Sequence, residues 1–225
     1  MKRVVIPELL DDDAGTPREV EDSLADLRMF NRRFGGVSVT SRLLLDVATR
    51  QHLTTVSFLD VAGASGDVAM LSAEFLARHG ITLKSVLLDR APSHLNGGHP
   101  AVCGDALALP FADNSFDVVG CSLFLHHLEP EQIIAFTNEA LRVARYAFLI
   151  NDLVRHPVHL AVAEAGRAIY RSRITRHDAP ASVRRAYTVK EMKGLLAQTK
   201  TQSFEIGTHY FFRMGGIAWK HPHTI

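Results

Sequence analysis

Between residues 58 and 152 the chain repeatedly ends an apolar run on side chains that can do polar chemistry. FLD stops at Asp60, LLD at Asp89, VCGD at Asp105, GCS at Ser122 with His126 and His127 shortly after, and FLIND at Asn151-Asp152. Beyond the carboxyl ends of buried strands such residues meet ligands, and histidine, with an ordinary pKa of about 6.5, takes or gives a proton near neutrality. The first acid opens a turn of small residues, Asp60-Val61-Ala62-Gly63-Ala64-Ser65-Gly66-Asp67, laid out like a nucleotide-binding loop. Asp89 follows Gly66 by 23 residues, close to the roughly 20 at which an acid accepts hydrogen bonds from a ribose. A carboxylate there repels a 2′-phosphate, so the expected ligand is an unphosphorylated nucleoside. Capping of a helix by Asp89 is the competing explanation.

The elements that hold these residues follow from the hydrophobic period. Residues 18–53 read as helical, with Val20, Leu24, Leu27 and Met29 or Phe30 on one face, and are a candidate lid. Apolar runs at 56–61, 84–90, 101–105, 116–124 and 147–152 read as strands; helical stretches such as DVAMLSAEFLARHG, stopped by Gly80, and EPEQIIAFTNEALRVARY alternate with several of them. Strands that are apolar throughout imply a parallel sheet covered on both faces, hence a doubly wound α/β domain. Residues 153–187 interrupt the alternation with a helical insertion. A further helix opens on Thr188 and Glu191 at capping-box spacing, and SFEIGTHYFF and RMGGIAWK read as an antiparallel pair at the sheet edge. The expected division is one domain, 1–225: a helical lid (1–54), a binding core (55–152), an insertion covering the substrate (153–187), and the last helix with the strand pair (188–225).

Composition narrows the function classes. A chain of 225 residues, 47% hydrophobic, supports one sizeable core, and a net charge of +1 gives no global attraction to nucleic acid or to an anionic membrane. Charge is unevenly placed: residues 1–30 carry eight acids and four bases, residues 165–200 nine Lys/Arg and two acids. Arg171, Arg173, Arg176, Arg184 and Arg185 either tether the lid or an anion, or form a solvated helix face; without interleaved aromatics they do not make a nucleic-acid platform. Acids at Glu8 and Asp11 to Asp13 interrupt the N-terminal apolar run, and no run approaches a membrane span of about 20 residues. With Cys103 and Cys121 read as buried structural thiols, a cytoplasmic location is expected. The twelve histidines, including His156, His159, His177, His221 and His223, are scattered, and no metal site is predicted.

The segment GDALALPFADNSFDVVGCSLFLHHLEP, residues 104–130, resembles the central signature of class I S-adenosylmethionine-dependent methyltransferases. With LDVAGASGD and LLDR before it and the terminal strand pair after it, the resemblance spans about residues 55–220. NDLVRHPVHLA, RHDAPASVRRAYTVKEM and FFRMGGIAWK resemble the branch of that family found with type III polyketide synthases. The resemblance implies a Rossmann-like methyltransferase fold with a mostly parallel seven-stranded sheet. It implies S-adenosylmethionine held by Asp60, Ala62, Gly63, Ala64, Gly66, Asp89, Arg90, Asp105, Ala106 and Cys121. The family loop reads Asp-x-Gly-x-Gly-x-Gly; Ala62 and Ala64 stand at glycine places, which a methyl group tolerates where φ is negative.

The implied acceptor is a small, aromatic molecule, methylated on a phenolic or polyketide-derived hydroxyl or on the ring carbon of a quinol. His126, His127 and Asp152 are the implied catalytic residues: Asp152 orients His126 as general base, while His127 turns inward to cap the next helix. Phe30, Phe34, Phe124, Tyr170 and Tyr187 are candidates for the acceptor pocket or for ordinary core packing. A non-catalytic nucleoside-binding or partner-binding protein that kept the fold is the alternative.

Overall fold

Apolar segments with no polar face can be strands only inside a sheet covered on both sides, and the computed structural model builds that sheet. It describes residues 1–12, 14–95 and 98–222; Asp13, Asn96, Gly97 and residues 223–225, with His223, lie outside the described residues. The strands are β1 (Thr55–Val61), β2 (Thr82–Asp89), β3 (Ala101–Cys103), β4 (Phe116–Ser122), β5 (Ala144–Leu153), β6 (Ser203–His209) and β7 (Arg213–Trp219). They form one seven-stranded sheet in the order β3-β2-β1-β4-β5-β7-β6. The first five are parallel, and β7 runs antiparallel between β5 and β6. The central strands β1, β4 and β5 are buried almost throughout, whereas β6 alternates.

The helices are α1 (Pro17–Arg33), α2 (Gly36–Arg50), α3 (Asp67–Ala77), α4 (Pro130–Val143), α5 (Pro157–Ala165), α6 (Arg173–Arg185) and α7 (Val189–Leu196). Reciprocal capping boxes start α1 at Thr16 with Glu19 and α7 at Thr188 with Glu191. One core layer joins α2 and α3 to a sheet face through Leu44, Val47, Phe58 and Leu76. The other joins α4 and α7 to the opposite face through Phe136, Phe148, Ile133 and Met192. Asn151, the penultimate polar residue of its apolar run, donates to Gly36 O at 2.7 Å and Thr40 Oγ1 at 2.8 Å and so anchors α2.

The expected insertion is α5 and α6, and the uneven charge of the sequence resolves here. The N-terminal segment lies along α6 as a strap. Leu9 N and Leu10 N donate to the two carboxylate oxygens of Asp178 at 2.9 and 3.0 Å. Val4 N donates to Arg184 O at 3.1 Å, and Arg3 Nε to Arg185 O at 2.8 Å. Arg173 pairs with Glu19 at 3.0 Å and Arg185 meets Asp11 at 3.5 Å. The basic strip therefore holds the acidic terminus down. Among the described residues no helix is long and apolar enough to cross a membrane.

The strap depends on Asp178, since each backbone donor it satisfies would otherwise compete for water. Asp178→Ala is expected to accelerate amide hydrogen exchange at Leu9 and Leu10 roughly ten- to hundredfold, the loss of one or two hydrogen bonds to a charged group, and to leave exchange in β4 and β5 unchanged. Exchange measured by NMR or mass spectrometry checks this; unchanged protection at both positions would remove Asp178 as the anchor.

Candidate functional site

A cavity of about 1020 Å³ lies beyond the carboxyl ends of the parallel strands, walled by their loops, α1, the strap and the α5–α6 pair. At the β1 end the turn is sewn to its neighbour: Ala62 N and Gly63 N both donate to Leu88 O, at 2.7 and 3.3 Å, and Ala64 N donates to Asp89 Oδ2 at 3.2 Å. The negative φ at which a methyl group is tolerated without cost is found at neither alanine. Ala62 has φ 57° and Ala64 φ 43°, a left-handed conformation that costs a residue with a Cβ about 1–2 kcal/mol. The hydrogen bonds to β2 over-determine the turn and hold it there. Gly66, at φ 73° and preceding α3, could not accept the same change, because a Cβ would lie 2.8 Å from the His99 ring and 2.9 Å from Leu87.

Asp60 is buried, and its Oδ2 has no hydrogen-bond partner among the described residues. Burial, with Asp67 and Asp89 nearby, pushes its carboxyl up to about 8. Asp89 reaches the cavity wall and also braces it, accepting from Ala91 N at 3.0 Å as well as from Ala64 N; it does not cap a helix, since the 3-10 turn that follows, Pro92–His94, starts at Ala91 without a side-chain cap. Asp105 accepts from Leu107 N at 2.9 Å and lines the cavity with Ala106 and Arg90. Cys121 does not line it: the thiol is buried in the core, and the wall at this strand is Ser122. Gly66 also stays behind the wall, shaping the turn.

The other end of the cavity is a cluster of acids and imidazoles. After β4 the chain makes a single 3-10 turn, Leu125–His127, which places His126 against Asp152 at the end of the neighbouring strand β5. His126 N bonds Asp152 Oδ2 at 3.0 Å, its Nδ1 bonds Asp152 Oδ1 at 2.6 Å, and Leu153 N donates to the same carboxylate at 2.6 Å. The other ring nitrogen, Nε2, lies 3.5 Å from Glu8 Oε1 on the strap. His127 does not cap α4, whose N-terminal cap is Glu129 with Gln132. Its ring stacks on Phe124, its Nδ1 meets Asp11 at 3.1 Å, and its Nε2 lies 3.9 Å from Glu8 Oε2.

Burial opposes charge on His126, but Asp152 and Glu8 outweigh it and push the ring up to about 10 instead of the ordinary 6.5. Burial would likewise raise Asp152 and Glu8, yet the histidines hold both below the usual carboxylate range. In this arrangement His126 is an imidazolium between two carboxylates at neutral pH. Phe30, Phe34, Phe124 and Tyr170 line the cavity. Tyr187 does not: its hydroxyl donates to Leu128 O at 2.8 Å beneath Arg3.

Three cavity residues went unnoticed as site residues in the sequence. Glu8 and Asp11 read there only as interruptions of an apolar run. Arg213, at the start of β7, is fully buried; its Nε donates to Phe34 O at 2.9 Å and its Nη1 has no partner among the described residues. Burial lowers it to about 10, against the pull of Asp152.

Asp60 carries a measurable consequence. An acid whose folded pKa of about 8 exceeds its unfolded value of about 3.8 binds a proton more tightly when folded, so its contribution to stability is greatest at low pH and is lost as pH rises from about 4 to about 8. Asp60→Asn removes that dependence. Urea unfolding at pH 5 and pH 8 is expected to show the stability difference shifting in favour of the asparagine variant by roughly 2–4 kcal/mol as pH rises; a constant difference would mean that Asp60 is ionised at low cost.

Comparison with known proteins agrees with this geometry. Residues 58–146 match the family described as "Methyltransferase domain". The Ubiquinone/menaquinone biosynthesis C-methyltransferase UbiE of Roseobacter denitrificans is 40% identical over 100 residues, 39% of this chain. The match spans 37% of that relative's length, well under half. Over nearly the whole chain the fold matches the plantazolicin methyltransferase BpumL, solved in complex with SAH, with a TM-score of 0.69 at 15% identity over 96% of this chain and 95% of that one. The magnesium protoporphyrin IX methyltransferase ChlM of Synechocystis PCC 6803, solved with bound SAH, gives 0.54 at 11% identity over 83% and 82%. Residues 58–146 are thus similar in sequence to a methyltransferase domain, and the chain as a whole shares the fold of solved S-adenosylmethionine-dependent methyltransferases.

Proposed function

We propose that the chain transfers a methyl group from S-adenosylmethionine to an oxygen of a small aromatic acceptor, a phenol or a polyketide-derived hydroxyl. The observation that carries this reading is one cavity joining an unpaired buried carboxylate at a nucleotide turn to a histidine–carboxylate pair across an apolar, aromatic wall. S-adenosylmethionine fits the first end: Asp60 offers its orphaned oxygen to a cationic group, and Asp89, Asp105 and Ala106 offer a polar edge to the nucleoside. When bound it supplies an electrophilic methyl on a sulfonium; the new O–C bond forms as the C–S bond breaks, leaving a neutral thioether.

The chain's own contribution is alignment and proton removal. Alignment of two reactants in a closed site is worth on the order of 7–11 kcal/mol at its best; Phe30, Phe34, Phe124 and Tyr170 supply flat apolar walls for a ring. His126 receives the hydroxyl proton at Nε2 while Asp152 keeps Nδ1 protonated and the ring oriented. For this the ring has to be neutral at Nε2, while Asp152 first and Glu8 second favour its charged form; the acceptor has to displace Glu8 and the ring has to release its Nε2 proton before it can receive one. The unpartnered Nη1 of Arg213 favours an acceptor with an anionic or strongly polar oxygen, and the resemblance of the C-terminal half to the branch found with type III polyketide synthases supports a phenolic one.

The UbiE similarity favours a second reading, methylation of a quinol ring carbon, which begins with the same loss of a phenolic proton. Neither reading calls on nucleic acid, and Arg173, Arg184 and Arg185 of the basic strip pair within the chain, with Glu19, Glu164 and Asp11. The two cysteines without a disulfide framework support a cytoplasmic setting.

His126→Ala is expected to lower turnover roughly 100- to 10,000-fold, the range of one general base, with S-adenosylhomocysteine affinity unchanged. Asp152→Asn should lose less, and the double variant far less than the sum of the two free energies, because the pair acts as a unit. Transfer of labelled methyl to a panel of phenols and quinols measures this. Parental turnover in both single variants would show an enzyme working by alignment alone, and a parent that binds cofactor but methylates none of the panel would favour a non-catalytic role.

A further inference from the structure

We infer that Glu8, His126 and His127 form a binding site for one divalent first-row transition cation at the acceptor end of the cavity. Their ligand atoms lie within 4.8 Å of one another, with Glu8 Oε1 to His126 Nε2 at 3.5 Å and Glu8 Oε2 to His127 Nε2 at 3.9 Å. Nitrogen and oxygen donors about 2.0–2.2 Å from a common ion stand roughly 3.0–3.5 Å apart, so side-chain rotations that draw together atoms now up to 4.8 Å apart complete the set.

The surroundings are those of ligands and not of a chance ion pair. Each imidazole gives its remaining nitrogen to its own carboxylate, His126 to Asp152 at 2.6 Å and His127 to Asp11 at 3.1 Å. Such outer carboxylates fix the tautomer and leave Nε2 as the metal-facing atom in both rings. Glu8 is only 8% exposed and its Oε1 has no hydrogen-bond partner among the described residues. A buried carboxylate oxygen left without a donor is costly, and a cation between the three side chains satisfies it. Leu9 and Leu10, next in sequence, are held by Asp178, so the strap fixes Glu8 where the turn after β4 fixes the two rings.

Two imidazoles and one carboxylate suit Zn²⁺, Fe²⁺ or Co²⁺ in preference to Mg²⁺ or Ca²⁺, which take oxygen ligands. Three protein ligands leave at least one position free, the pattern of reactive and not of structural sites. All three residues line the cavity, so the free position faces the acceptor. An ion there would seat an acceptor oxygen and favour its anionic form; with Nε2 of His126 on the ion, that ring would no longer receive the acceptor's proton, and the ion would take the place of the base. This role rests on the function proposed above; binding of the ion does not, and is measured without an acceptor.

Metal-stripped protein titrated with Co²⁺, followed by visible absorption and by equilibrium dialysis with Zn²⁺, is expected to take up one ion per chain. Glu8→Gln and His127→Ala should each weaken uptake by at least about tenfold, and Asp11→Asn by roughly 10- to 100-fold through its ring, while S-adenosylhomocysteine binding, followed by calorimetry, stays at the parental level and reports intact folding. Failure of the parent to bind cobalt stoichiometrically while still binding S-adenosylhomocysteine overturns the site. So does equal uptake by the parent, Glu8→Gln and His127→Ala. A parent that takes up one cobalt, lost in both variants, but does not bind S-adenosylhomocysteine upholds the site and removes the proposed function instead.

Discussion

Two carboxylates are buried at the carboxyl ends of nearby parallel strands, and only one of them is satisfied. Asp152 accepts from the backbone and ring of His126 and from Leu153 N; Asp60, at the end of β1, has an oxygen with no hydrogen-bond partner among the described residues. A buried carboxyl oxygen without a hydrogen-bond donor costs about 1–3 kcal/mol, and ionising it there costs more, so a fold that keeps one has a reason for it outside its own side chains. The arrangement of the site follows from this difference. The satisfied acid builds a fixed imidazole, and the unsatisfied one marks where a cationic part of a ligand belongs.

The same constraint explains the strap. A buried His126 charged by Asp152 has a second nitrogen, and Glu8 Oε1 stands 3.5 Å from it as a counter-charge without a hydrogen bond. Glu8 is in reach only because Asp178 grips Leu9 and Leu10 and because Arg3 and Arg185 tie the terminus to the turn after β4. The excess of acids in residues 1–30 and of bases in 165–200 is therefore a self-recognition device. The strap walls the cavity with polar contacts and few buried apolar side chains.

The strands themselves, the placement of acids at strand ends and the capping box at Thr188 and Glu191 were legible in the sequence, because each depends on residues close together in the chain. The nearness of Asp152 to His126 was legible once the family topology made β4 and β5 neighbours. What was not legible depends on distant contacts. The positive φ of Ala62 and Ala64 is imposed by Leu88 O and Asp89 on another strand, and residue type argued the other way. Glu8 lies 118 residues before His126, with no local pattern linking them. The choice between Cys121 and Ser122 turns on which strand residue faces the cavity, a matter of one position in a period of two.

The account turns on Asp60 being the partner of a charged group of S-adenosylmethionine or its product. Free, its carboxyl titrates at about 8 and is largely protonated at pH 7; paired with a ligand ammonium it would ionise and give up that proton. Calorimetric titration with S-adenosylhomocysteine at pH 7, repeated in buffers of different ionisation enthalpy, measures both the binding and the proton. The account predicts one site per chain and release of close to one proton, absent in Asp60→Asn. No binding, or binding with the same proton count in Asp60→Asn as in the parent, would contradict it.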